Sequence, residues 1–179
     1  ELYDADIRIS ADFVRGFYRE FDEFVDPVTD AEIAKIWKDD IENNHQHCNY
    51  SEHLQSQMSL GWHNLVSMGI IKGTDEELMD YVYKGLVDLV LHEVGHTLGL
   101  RHNFKASSIY SVEQLSNKNF TEKYGISGSV MDYHPVNLFD NGHTLFQTSP
   151  GAYDDWVIEY GYSEFTSGLE KDNLENQLK

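Results

Sequence analysis

Most of the chain carries apolar residues at helical spacing, separated by short polar breaks. Leu2 to Ile9 differs. Ala5, Ile7 and Ile9 face one side and Asp4, Asp6 and Arg8 the other, a period of two that predicts a strand. From Ser10 the period changes. Phe13, Phe17, Phe21 and Phe24 form one stripe of a helix that Ser10 can cap and Asp26-Pro27 breaks. Asp30 opens a second helix with Ile33, Ile36, Trp37 and Ile41 inward. Ser51 opens a third, with Leu54, Met58, Trp62, Leu65 and Met68 inward and Gly69 and Gly73 at its end.

The longest helical pattern runs from about Asp75 to Leu98, behind a Thr74/Glu77 capping box. Leu78, Val82, Leu86, Leu89, Val90, Val94 and Leu98 make it apolar on most sides, as expected of an interior helix. Its polar row reads Asp80, Lys84, Asp88, then His92 and His96. The first three predict a solvated charge ladder, which places the two histidines at the floor of a cleft. Further on, a short helix is expected near Ser111 to Ser116. His143 to Thr148 is a weak strand candidate. Ser149-Pro150 can start a last helix, ended by Gly161, with Tyr153, Trp156, Val157 and Tyr160 packed under the histidines.

The 179 residues suffice for one domain with a core. No apolar run approaches the roughly 18 residues of a membrane span. Thirteen Lys and Arg against 31 Asp and Glu give a net charge of −18, which repels phosphate backbones and excludes nucleic acid as the expected partner. The acidity suits basic substrates or structural Ca²⁺, and is met most simply by a solvated surface. Cys48 is the only cysteine, so no disulfide forms within the chain.

The chemistry concentrates in His92-Glu93-Val-Gly-His96-Thr-Leu-Gly99-Leu-Arg-His102. On a helix, His92 and His96 leave the same face and can share one Zn²⁺. Glu93 then points beside them, placed to meet water without binding the metal. His102 joins the same ion only if the helix ends before it and the chain turns. Gly99 supplies the residue that tolerates such an ending. This spacing arises by chance in a chain this long on the order of 1 in 10⁵ times. Three neutral histidines leave a coordination position open, as catalytic zinc requires. His45, His47, Cys48 and His53 form a second cluster, whose spacing matches no known structural zinc pattern cleanly. It is expected to comprise ordinary histidines and a free thiol. His63, His134 and His143 are expected to be structural or exposed.

HEVGHTLGLRH resembles the HExxHxxGxxH signature of the metzincin zinc endopeptidases. Ser129-Val-Met131-Asp-Tyr133 resembles the S-x-M-x-Y turn of astacins and serralysins, although Asn103 stands where their third histidine is followed by Glu or Pro. By that resemblance Met131 packs under the metal, and Tyr133 approaches the zinc and assists the transition state. A wider likeness, carried by HEVGHTLGLRHNFKAS, FTEKYGISGSVMDY, GAYDDWVIEYGY and DADIRISADFV, is to large exported bacterial zinc metalloproteases of poorly characterised function. It implies a secreted, periplasmic or cell-surface enzyme acting on peptide or protein substrates. The expected fold is α+β and mainly helical, a metzincin-like catalytic domain over residues 1–165 with a polar tail or frayed helix over 166–179. Since a lone strand cannot satisfy its own backbone, the sheet is expected to be incomplete, with partner strands before residue 1. The alternatives are a zinc-containing binding or assembly module and a zinc hydrolase acting on another bond.

Overall fold

The computed structural model describes Ile7 and residues 48–139, 144–164 and 168–176. The strand expected over 2–9, the two helices expected before residue 45, and His45, His47 and His143 lie outside the described residues. Among the described residues the fold is mainly helical and holds no strand. The weak strand candidate is not one: residues 144–148 run irregularly, tied to Asn137 by a single backbone bond, Asn137 N–H to the Leu145 carbonyl at 2.9 Å.

Helix α1 spans Tyr50–Ser67 and α2 spans Asp75–Thr97. On α1 the apolar residues Leu54, Met58, Trp62 and Leu65 recur on one face and are buried. Met68, expected inward, is instead exposed, because the helix has ended and the chain has turned at Gly69, φ +70°. Against α1 pack Tyr81, Val82 and Leu89 of α2, and Val136, Leu145 and Phe146 complete the core. The Tyr81 hydroxyl donates to the Met58 carbonyl at 2.9 Å, so the polar atom of a buried ring is satisfied across the helix pair. Val90 lies on the open side of α2, so the helix is less enclosed than its composition suggests.

The start of α2 follows its sequence signal. Thr74 Oγ1 accepts from Glu77 N–H at 3.3 Å, and Glu77 Oε2 accepts from Thr74 N–H at 3.0 Å. The charge ladder divides. Lys84 pairs with Asp80 at 2.7 Å on the surface. Asp88, expected on the same solvated edge, is fully buried. One of its oxygens accepts from the Tyr50 hydroxyl at 2.8 Å, and the other accepts from Gln147 N–H at 2.9 Å. His134 Nε2 approaches at 3.5 Å, outside hydrogen-bond geometry. Burial alone would lower the His134 pKa, but Asp88 and Asp132 outweigh it and hold it above its ordinary value.

Beyond α2 come a 3₁₀ turn at Ala106–Ile109, then α3 at Val112–Leu115, the short helix expected there and capped by Ser111, and α4 at Lys118–Tyr124, which the sequence reading missed. Helix α5 spans Ala152–Tyr162 and α6 spans Gly168–Asn176, within the segment expected to be a tail or frayed helix. Gly161 does not end α5; it lies inside it, and Ser163 is the cap. On α5, Trp156 stacks on Tyr160 at 5.2 Å, and Asp154 and Tyr162 bond to the active-site region. No described helix is long and apolar enough to cross a membrane.

Candidate metal centre

The end of α2 builds the site. After Thr97 the chain passes Leu98 and enters Gly99 at φ +83°. Gly99 N–H donates to the His96 carbonyl at 2.9 Å, and Leu100 N–H to the Gly95 carbonyl at 3.0 Å. These two bonds close a Schellman motif, which reverses the chain and returns His102 toward α2. His96 Nε2 and His102 Nε2 then lie 3.1 Å apart. His92 is fully buried beside them, its ring centroid 4.9 Å from that of His96 and 5.3 Å from that of His102.

Two outer contacts aim the ligand atoms. His92 Nδ1 lies 2.6 Å from the Val130 carbonyl, and His96 Nδ1 lies 3.0 Å from the Leu100 carbonyl. A carbonyl only accepts, so each Nδ1 carries the proton and each Nε2 offers a lone pair to the centre. Burial pushes the His92 pKa down to about 4, with the neighbouring His96 and His102 acting in the same direction. Burial and His96 also lower His102. Neutral imidazole is the metal-binding form, so His92 needs no deprotonation at neutral pH. In the metal-free protein, an NMR titration should show His92 protonating near pH 4, well below the ordinary histidine range around 6.5. The folded chain then binds fewer protons than the unfolded chain below about pH 6.5. The His92 contribution to stability is therefore present above that pH and lost as pH falls through about 4.

The methionine turn lies directly beneath. Met131 is fully buried, and a Cβ built on Gly95 of α2 would collide with its sulfur. Gly95→Ala should therefore cost about 1–3 kcal/mol by overpacking, measured by urea denaturation. An unchanged denaturation midpoint would mean that Met131 yields freely.

Asp154 of α5 receives three bonds, two from the turn and one from the cap of its own helix. Asp154 accepts from the Ser129 hydroxyl at 2.6 Å, from Val130 N–H at 2.8 Å and from Gly151 N–H at 2.8 Å. Two more clip the chain after His102 to the same turn: Asn103 N–H donates to the Met131 carbonyl at 2.8 Å, and Ser107 N–H to Asp132 Oδ2 at 2.6 Å. Asp154 and Asp132 were not recognised from the sequence. For Asp154 a local signal existed, since an acidic residue three after Gly151 is a helix N-terminal pattern.

Tyr133 reaches the centre, its hydroxyl 3.2 Å from His102 Nε2. Burial and Cys48 push its pKa well above the ordinary range, so it is a hydrogen-bond donor at neutral pH. Tyr50 fills the space between, 4.4 Å from the His92 ring and stacked 4.9 Å from Tyr133. Glu93 stands at the rim, with Oε1 accepting from the Cys48 thiol at 3.5 Å.

Cys48 is the main correction. Among the described residues it joins the main centre, whereas His45 and His47 of the expected second cluster lie outside them. Among the described residues, one set of His, Cys and carboxylate side chains can share a metal, and it is Cys48, His92, His96 and His102, with ligand atoms all within 4.8 Å of one another. His53 instead stacks on Tyr133 at 5.8 Å. Tetrahedral zinc with Zn–N near 2.05 Å and Zn–S near 2.3 Å sets N···N at about 3.3 Å and S···N at about 3.6 Å. The observed His96–His102 separation of 3.1 Å and Cys48–His92 separation of 3.3 Å are close to these values. The residues present therefore fit zinc.

A family described as Met-zincin matches residues 74–179, from the cap of α2 through the three histidines and Met131. No curated protein and no solved structure matches the chain. With more than half of its length matched, and with the histidine centre and buried methionine in place, the chain belongs to the Met-zincin family, and so to the zinc metallopeptidases.

Proposed function

We propose that the protein is a zinc-dependent endopeptidase in which His92, His96 and His102 hold the metal and Glu93 moves the proton. One observation carries this reading: imidazole nitrogens from both sides of the Gly99 turn converge on one point with a carboxylate at its rim. When bound, zinc polarises the peptide carbonyl and lowers the pKa of water from about 15.7 to about 7. Glu93, outside the metal-holding set, accepts the proton of the attacking water and returns it to the leaving nitrogen. The Tyr133 hydroxyl donates to the carbonyl oxygen as negative charge builds there. Gly99 and Met131 have supporting roles, one reversing the chain and the other filling the floor. On the resemblance to exported proteases, we place the enzyme in a secreted, periplasmic or cell-surface setting.

The test is hydrolysis of unfolded casein and of a peptide library by zinc-loaded protein. Cys48→Ser is assayed alongside, because the thiol borders the site. Internal peptide bonds should be cut, cutting should stop with a chelator, and added zinc should restore it. Stoichiometric zinc without cleavage in either form would favour a binding module instead.

A further inference from the structure

The three-histidine reading leaves Cys48 without a role. Its Sγ lies 3.3 Å from His92 Nε2, 3.3 Å from the Tyr133 hydroxyl and 3.5 Å from Glu93 Oε1, against both groups assigned above to the water and the substrate carbonyl. A passing loop would not hold it there, but a buried anchor does. Tyr50, two residues on, is fully buried, packs on His92 and bonds Asp88. Asn49 N–H between them donates to the Tyr133 hydroxyl at 3.2 Å. The His92 lone pair gives a second, independent indication. His92 is fully buried, its Nδ1 is committed to Val130, and its Nε2 faces Cys48. The buried His92 acceptor, the thiol and the Nε2 atoms of His96 and His102 gather with all ligand atoms within 4.8 Å of one another, which is a metal-ligand arrangement.

We propose that the Cys48 thiolate is a fourth protein ligand of the metal, and that this conformation is a closed state of the site. Four protein ligands fill a tetrahedral zinc site, whereas catalysis requires one position for water. The inference rests on the three-histidine reading of the centre. Coordination by sulfur requires only that the thiol lose its proton to solvent, as metal-bound thiols do. Cys48 and Asn49 precede α1, so the thiol can leave the centre without unwinding that helix. The family match begins at residue 74, so this fourth ligand comes from outside the matched segment.

Cobalt substitution tests the proposal in the full chain. Co²⁺-loaded wild type should show a thiolate-to-cobalt charge-transfer band in the near ultraviolet. Cys48→Ser should still bind one Co²⁺ and lack the band. Wild type with one Co²⁺ and no band, or a band that survives in Cys48→Ser, overturns the proposal while leaving the histidine centre intact. Wild type that binds no Co²⁺ overturns the three-histidine reading and this inference with it. A second measurement needs no variant, because Cys48 is the only cysteine. Iodoacetamide forms a carbon–sulfur bond with the thiolate as iodide leaves, and the mass of the whole chain reports it. Zinc should slow this reaction at least about tenfold relative to chelated protein, and equal rates would sink the proposal. Peptide hydrolysis should rise about tenfold or more in Cys48→Ser. A fall in hydrolysis with one zinc still bound would show that the thiol does not close the site.

Discussion

Glu93→Gln is expected to retain one zinc and to lose about 10²- to 10⁴-fold in kcat, the range that a positioned general acid–base supplies. Retention follows from the geometry, since Glu93 is not among the four side chains that can share the metal. Loss follows from the chemistry. Glutamine keeps the size and one carbonyl oxygen of glutamate, but it cannot take a proton from water. If the carboxylate acts mainly in the transition state, KM should change little while kcat and kcat/KM fall together. Zinc content by atomic absorption and steady-state kinetics on one peptide decide the matter. Normal turnover by Glu93→Gln would require another base. Loss of zinc instead would place the carboxylate in the metal's own coordination.

Asp154→Ala is expected to give the largest loss of stability away from the metal, about 3–5 kcal/mol. Its carboxyl group accepts three hydrogen bonds in a buried setting, and hydrogen bonds involving a charged group contribute roughly 1.5–3 kcal/mol each without being fully additive. Alanine also leaves Val130 N–H and Gly151 N–H buried without their acceptor. That cost is a large share of the roughly 5–15 kcal/mol that holds a domain together. The effect should reach the metal as well. Val130 offers its carbonyl to His92 through the same peptide segment that Asp154 holds by its N–H, so a loosened turn weakens zinc binding. Urea denaturation of the zinc-free protein isolates the stability loss, and zinc titration reports the second effect. A shift below about 1 kcal/mol would mean that water replaces the carboxylate at little cost.

What could be read from the sequence was local. The Thr74/Glu77 box, the length of α2, the ending at Gly99 and the short helix behind Ser111 rest on residues within a few positions of one another, and the structure forms each of them. Asp88 was misread because its row on α2 begins with a solvated pair. Only the distant Tyr50 and Gln147 make it an interior residue. Gly161 was misread because a glycine near a helix end looks like a stop, while the helix continues one residue beyond it. Cys48 was invisible for the same reason as Asp88. Its partners His92 and Tyr133 are remote in sequence, and the histidines near it in sequence suggest a different cluster. Periodicity reports which face of an element is apolar. It does not report which distant loop will supply a ligand.

The clips from Asn103 to Met131 and from Ser107 to Asp132 have a consequence for how this protein can change over evolutionary time. They bring together the two ends of an excursion that contains the 3₁₀ turn, α3 and α4. Because lengthening a closed loop adds little entropy cost, that excursion can grow, shrink or be exchanged while the third histidine and the methionine keep their spacing. Diversity among relatives should therefore collect in the exposed stretch from Ser108 to Asn119, as interchangeable surface architecture hung from an unchanging hinge-pin.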